Sequence, residues 1–228
     1  MSLIQTKKLS KIYKNGEYAL AALNLIDLEI EKGEIVALTG PSGSGKTTLM
    51  HLLGCLDSPS SGQFFLEGEE VSRFTPNQLA SIRNQKIGFV FQNFHLLNDL
   101  DAVENIILPQ LYGGIDEKIA REKAYELLKT VGLGHRLHHY PTQLSGGQKQ
   151  RLAIARSLAM DPLILLADEP TGNLDSENAH KIIDLFCDIN RLKQTTIILV
   201  THEKGIAQRA KRCITILDGQ IASDELNK

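Results

Sequence analysis

A chain of 228 residues is long enough for one large α/β domain, or for a core carrying a subdomain. Its 25 Lys and Arg nearly balance 27 Asp and Glu, with no basic stripe, which argues against nucleic acid as a partner. The hydrophobic fraction of 42% supports a real core, but the longest apolar runs, "LILLA" at 163–167 and "TIILV" at 196–200, fall far short of the ~20 residues that span a bilayer. The start, "MSLIQTKKLSK", is too polar for a signal peptide, so the expected protein is cytosolic or held at a membrane through something else. Cys55, Cys187 and Cys213 lack zinc spacing and read as reduced, buried thiols.

In chain order, the first third reads as strands and turns. "EIVALT" (34–39) is a short apolar run after "EKG", as expected of a buried strand, and "KTTLMHLLGCL" then reads as a helix. "GQFFLEGEEV" (62–71) alternates around turn signals and predicts an edge hairpin; "KIGFVFQ" (86–92) predicts another strand. From Asn93 to Met160 the patterning turns helical, interrupted at Gly113-Gly114 and Tyr140-Pro141. Within it, 116–132 is a charged amphipathic helix with apolar Ile119, Ala124, Leu127 and Leu128. "LILLAD" and "TTIILVT" are apolar strands separated by a helix near 176–193, and 213–222 makes a final hairpin around Asp218-Gly219. Strands alternating with helices predict a mainly parallel sheet, with the helical block at 93–160 inserted between two of its strands.

Between the first apolar strand and its helix lies Gly40-Pro41-Ser42-Gly43-Ser44-Gly45-Lys46-Thr47, which satisfies G-x-x-x-x-G-K-[ST]. Glycines let backbone N–H groups wrap a β-phosphate at a positive helix end. Lys46 then neutralises β- and γ-oxygens, and Thr47 coordinates Mg²⁺. A chance match is on the order of one in a hundred on average composition, and the strand–helix context lowers that further. This loop binds a nucleoside triphosphate. "LILLADEP" delivers Asp168 to a strand's carboxyl end, where it holds Mg²⁺ through water, and places Glu169 next to accept a proton from attacking water. Alone, that acidic pair reads equally well as the start of a turn before Pro170; the phosphate loop decides for function.

A second glycine-rich stretch, Ser145-Gly146-Gly147-Gln148, also opens a helix but has no lysine and follows "HHYPTQ" rather than an apolar strand. A phosphate bound there would need its metal and cation from elsewhere, and the simplest suggestion is a second copy of the chain facing the first. At this point the sequence resembles, along essentially its full length, the nucleotide-binding subunit of ATP-binding cassette (ABC) transporters. "LSGGQ" is that family's signature, and the order Tyr13, phosphate loop, Gln92, "LSGGQ", "LLADEP", "NLD", His202 matches it. The resemblance implies a P-loop NTPase fold of the α/β class. Its RecA-like core (1–92 and 161–228) has an antiparallel edge subdomain, and a helical signature subdomain (93–160) is inserted.

The family's site residues carry over individually. Residues Gly40 to Thr48 hold the phosphates. Tyr13 matches the aromatic that stacks on adenine, although it also reads as a solvent-facing aromatic on an edge strand. Gln92 matches the glutamine that reaches Mg²⁺ and the lytic water. Ser145 and Gly147 would contact the γ-phosphate held by a partner's Lys46, with Gly146 and Gln148 in the same nucleotide-binding stretch. Asp175 matches the loop that crosses the dimer interface; there the family often has Ser-Ala before Leu-Asp, and Gly172-Asn173 departs from it. His202 matches the switch histidine at the γ-phosphate. The remaining histidines, including "HRLHH" at 135–139, lack partner ligands.

"LGCLDSPSSG", "IRNQKIGFVFQNFHLL", "AVENIILP" and "LADEPTGNLDS" look like the MacB/LolD branch of macrolide or peptide export and lipoprotein release. The expectation is an ATP- and Mg²⁺-dependent ATPase that forms a homodimer on ATP binding. It would lie peripherally on the cytoplasmic side of the inner membrane, with a membrane subunit against Gln92–Pro109. The runner-up is a regulatory or cell-division cassette that drives a membrane complex without moving cargo. A DNA-repair cassette would need a long coiled coil between Lys46 and Asp168, and translation-associated cassettes usually come two to a chain.

Overall fold

Two sheets form the body of the computed structural model, which describes residues 2–16 and 18–227. β1 (Ser2–Asn15) and β2 (Tyr18–Glu31) make a long antiparallel hairpin, followed by β3 (Ile35–Thr39) and α1 (Lys46–Leu53). β4 (Ser61–Leu66) and β5 (Glu69–Glu70) form a short hairpin, which leads through α2 (Pro76–Lys86) to β6 (Ile87–Phe91). α3 (Ala102–Tyr112), α4 (Glu117–Thr130) and α5 (Gly146–Ser157) then lie between β6 and β7 (Ile164–Asp168). α6 (Ser176–Lys193), β8 (Thr196–Val200), α7 (Lys204–Ala207), β9 (Arg212–Leu217) and β10 (Gln220–Leu226) complete the chain.

The smaller sheet is antiparallel, in the order β2-β1-β4-β5. The larger runs β10-β9-β3-β8-β7-β6, parallel throughout except for β10, which pairs antiparallel with β9 at one edge. Its central strands are continuous apolar runs because both faces are covered. Ala37, Leu165, Ala167, Ile197 and Leu199 pack with α3 to α6, whereas Val36, Leu38, Leu166, Ile198 and Val200 pack with α1 and the antiparallel sheet. Residues one apart on each strand thus divide two cores. Arg212 ties the sheets together: its guanidinium grips Asp224 at 2.7 and 2.6 Å and donates to the Glu29 carbonyl at 2.9 Å.

The α/β class, the antiparallel edge and the helices between β6 and β7 agree with expectation. Three details differ. The 76–86 segment is a helix that hydrophobic periodicity missed, since Ile82 is its one buried residue. Thr75-Pro76 with Gln78 is nevertheless a complete capping box, a signal present in the sequence. Ile119, placed on the apolar face of α4, is exposed, while Ala124, Leu127 and Leu128 are buried. Of the three free cysteines only Cys55 is buried, its thiol pushed up to about 11 by desolvation; Cys187 and Cys213 are half-buried.

Candidate nucleotide site

Strand register gathers residues that are far apart in sequence. Leu38 of β3 pairs with Val200 of β8, Val200 with Asp168 of β7, and Asp168 with Phe91 of β6. The residues that follow therefore leave the sheet at one carboxyl edge: Gly40, His202, Glu169 and Gln92. Carboxyl edges of parallel sheets are where α/β proteins bind ligands.

The phosphate loop joins β3 to α1. Gly45 caps the helix with φ 107° and ψ 0°. A β-carbon there would lie 2.6 Å from the Ala22 carbonyl oxygen of β2, so the loop presses on the neighbouring sheet. The turn between β9 and β10 closes the other side, with the Gly219 N–H donating to the Ser44 carbonyl at 3.0 Å. Lys46 is buried and its ammonium donates to the Gly40 and Pro41 carbonyls at 2.9 and 2.7 Å. Pro41, Ser42, Gly43 and Thr47 stay exposed at the rim, with Ser44 buried beneath. A cleft of about 450 Å³ opens here, lined by Gly43, Gly45 to Thr48, Tyr13, Leu20 to Ala22, and Asp218-Gly219.

Tyr13 therefore faces the cleft rather than open solvent alone. Its hydroxyl donates to Asp57 at 3.0 Å, and Lys11 bridges to the same carboxylate at 2.6 Å while its ammonium sits 5.0 Å above the ring. Burial and the Asp57 contact push the Tyr13 hydroxyl up. Burial opposes ionisation of Asp57, but Lys11, the Ser58 N–H and Tyr13 together hold its carboxyl below the ordinary range. Sequence reasoning missed Leu20 to Ala22, the Lys11–Asp57 pair, and the second role of Asp218-Gly219, whose "DG" signals only a hairpin turn.

Across the edge, burial and then the neighbouring Glu169 raise the pKa of Asp168, against the pull of His51 and Lys46. His51 had no chemical neighbour in sequence; α1 carries it to this carboxylate. Glu169 takes a left-handed backbone (φ 44°) while its N–H still bonds the Val200 carbonyl at 2.9 Å. Its carboxylate meets His202 Nδ1 at 2.9 Å. A strained residue continued from a strand, with its side chain held by an imidazole, is an arrangement suited to activating water.

Gln92 lies over Gly172 beside Asn173. Ser145 to Gln148 line no part of the Lys46 cleft. Ser145 caps α5, giving its N–H to Gln148 Oε1 at 2.9 Å, and a β-carbon on Gly147 would lie 3.0 Å from Asn178 Oδ1. Asn178 also donates to Asp175, the cap of α6, at 2.7 Å. Hydrogen bonds from the Asn178 N–H and side chain hold the exposed Asp175 carboxyl below its usual range. The signature and Asp175 thus share one surface, apart from the cleft. As for a metal, Thr47 and Asp168 offer hard oxygen donors at the same edge, and the desolvated, doubly acidic Asp168-Glu169 pair favours a cation beside it.

The family model described as "ABC transporter" matches residues 23–172. The chain belongs to the ABC transporter family. This cassette is 50% identical over 215 residues to an ABC transporter ATP-binding protein of Thermotoga maritima, covering 94% of this chain and 92% of that one. It is also 50% identical over 223 residues to the macrolide export ATP-binding/permease protein MacB of Syntrophobacter fumaroxidans, covering 97% of the cassette but 31% of that longer protein. Among solved structures, a dimeric post-hydrolysis state of an ATP-binding cassette bound to ADP and phosphate superposes with a TM-score of 0.90 at 40% identity, covering 99% of both chains. The cassette is a nucleotide-binding ATPase serving a transporter, and its similarity to MacB agrees with the branch expected from its motifs. Among the described residues no helix is long and apolar enough to cross a membrane.

Proposed function

We propose that this cassette hydrolyses MgATP to drive a MacB/LolD-type membrane partner, through head-to-tail closure of two copies. The observation that carries the reading is the register that brings the Gly40 loop, Gln92, Asp168-Glu169 and His202 to one carboxyl edge. Lys46 leaves its carbonyl contacts for the β- and γ-oxygens, and the α1 N-terminus adds positive potential. Tyr13 stacks on the base. Thr47, Asp168 and Gln92 would hold Mg²⁺, which when bound neutralises charge on the phosphates. Glu169 accepts the proton of the attacking water, and His202 orients that carboxylate and bonds the γ-phosphate.

The detached Ser145–Gln148 stretch supports a composite site, because it opens a helix N-terminus, where anions bind, away from its own cleft. The partner copy's nucleotide supplies one, and Asp175 beside it lies at the junction. ATP binding closes the pair and phosphate loss opens it. Residues 93–160 move as a helical unit on the RecA-like core formed by 1–92 and 161–228. The membrane subunit docks against Gln92–Pro109, a reading supported by an apolar groove that includes Phe91, Leu108, Pro109 and Tyr112. The cassette would then sit peripherally on the cytoplasmic face of the membrane.

The test is capture of Glu169→Gln with ATP from solubilised membranes of its own host. The variant should bind ATP, lose roughly 10²-fold or more in turnover, and bring down a membrane protein of few spans with a large extracytoplasmic domain. Near-normal hydrolysis would remove Glu169 as the base. An ATP-bound dimer with no membrane subunit would favour a regulatory cassette instead.

A further inference from the structure

The departure from Ser-Ala at 172–173 falls where the chain leaving β6 meets the loop leaving β7. Asn173 Nδ2 donates both to the Gln92 carbonyl, at 3.0 Å, and to Asn93 Oδ1, at 3.1 Å. Gln92 Nε2 returns toward Asn173 Oδ1 at 3.5 Å. Gly172 completes the arrangement, since a β-carbon there would lie 2.6 Å from Gln92 Nε2. An alanine or serine at 173 is too short to reach either acceptor, and any side chain at 172 displaces the glutamine.

We infer that Gly172-Asn173 forms a seat that positions Gln92, making Asn173 a positioning residue for ATP hydrolysis in this cassette. The inference rests on Gln92 serving the metal and the lytic water. One amide crossing from the 172–175 loop fixes the Gln92 backbone, and the bare Cα of Gly172 leaves the side chain room to lie flat. The same amide links the strand end that leads into the helical block to the segment that carries Asp175. Movement of the block would therefore be felt at Gln92 through Asn173.

Turnover of the full chain with MgATP tests this in Asn173→Ala, Asn173→Asp, Gln92→Ala and the Gln92→Ala/Asn173→Ala double variant. Aspartate keeps the size of asparagine but sets a carboxylate oxygen against the two acceptors, so it should lose at least as much as alanine. Each Asn173 variant should lose about tenfold in kcat, within the hundredfold that misplacing a catalytic contact can cost. Affinity for ADP without metal should stay within about twofold, because Asn173 lies outside the cleft. The Mg²⁺ concentration for half-maximal turnover should rise. The double variant should be no slower than Gln92→Ala, since Asn173 acts only through that residue. Normal turnover in Asn173→Ala beside an impaired Gln92→Ala would overturn the seat alone, as would losses that multiply in the double variant. Normal turnover in Gln92→Ala would remove the assignment of Gln92, and the seat with it.

Discussion

Replacing Gly45 with alanine probes how tightly the phosphate loop is held between the two sheets. At φ 107° an L-residue pays a backbone penalty of about 1–2 kcal/mol. The added β-carbon would also lie 2.6 Å from the Ala22 carbonyl oxygen and 2.9 Å from Leu23 Cδ2. The carbonyl belongs to the β2 backbone and cannot rotate away, so strand and loop must separate, an overpacking cost of about 1–3 kcal/mol. Together the loss is about 2–5 kcal/mol, or roughly 4–20 °C in Tm for a domain of this size. Gly43→Ala is the internal control, because Gly43 has φ 77° but nothing within 4 Å of its β-carbon. It should lose about 1 kcal/mol, or roughly 2–4 °C. Thermal unfolding of both variants without nucleotide reads the difference directly. Equal melting temperatures would show that contact with β2 does not constrain the loop.

Perturbations at four other residues follow from the geometry. Asp168→Asn should raise stability while abolishing turnover. Burial and Glu169 raise the folded pKa of Asp168, so its stabilising contribution is full below the ordinary value of 3.8 and lost as pH rises through the folded value. The gain in Tm over wild type should therefore be present at neutral pH and fade toward that value; a pH-independent difference would refute the electrostatic cause. Arg212→Ala should cost about 2–3 kcal/mol by urea unfolding, the scale of hydrogen bonds to charged groups, and Arg212→Lys should recover only part because it lacks the planar fork. Tyr13→Ala should weaken ATP binding by roughly tenfold in titration calorimetry and Asp57→Asn by roughly threefold, within the energy of one aromatic contact, with kcat unchanged in both.

Much of the site was legible because its chemistry is local. The phosphate loop, the acidic end of β7 and the signature each occupy a few consecutive residues, and the strands that carry the first two are continuous apolar runs. What sequence left unread depends on contacts across the fold. β1 and β2 give weak alternation because register shifts at Thr6/Leu9 and Lys11/Ile12 break the period of two. α2 escapes because it buries almost nothing, although its cap was visible. Tyr13 stood out as an aromatic, but the Lys11–Asp57 bridge that fixes its ring joins residues 46 apart. Asp218-Gly219 read as a turn, with nothing local to say that it abuts Ser44. Asn173 stood out only as a departure from a familiar pattern, and its hydrogen bonds to residues 92 and 93 required the strand register.

The cleft is a seam: one wall belongs to the antiparallel sheet, with Tyr13 and Leu20 to Ala22, and the other to the parallel sheet, with the loop around Lys46. On the proposed reading, two sheets share one nucleotide, β1 and β2 facing the base and the loop after β3 holding the phosphates. In that reading a substitution at Tyr13 or Leu20 would alter the fit of the base, whereas one at Ala22, whose carbonyl abuts Gly45, would also shift the phosphate loop. Base recognition and phosphate chemistry would then be separable at Tyr13 and coupled at Ala22.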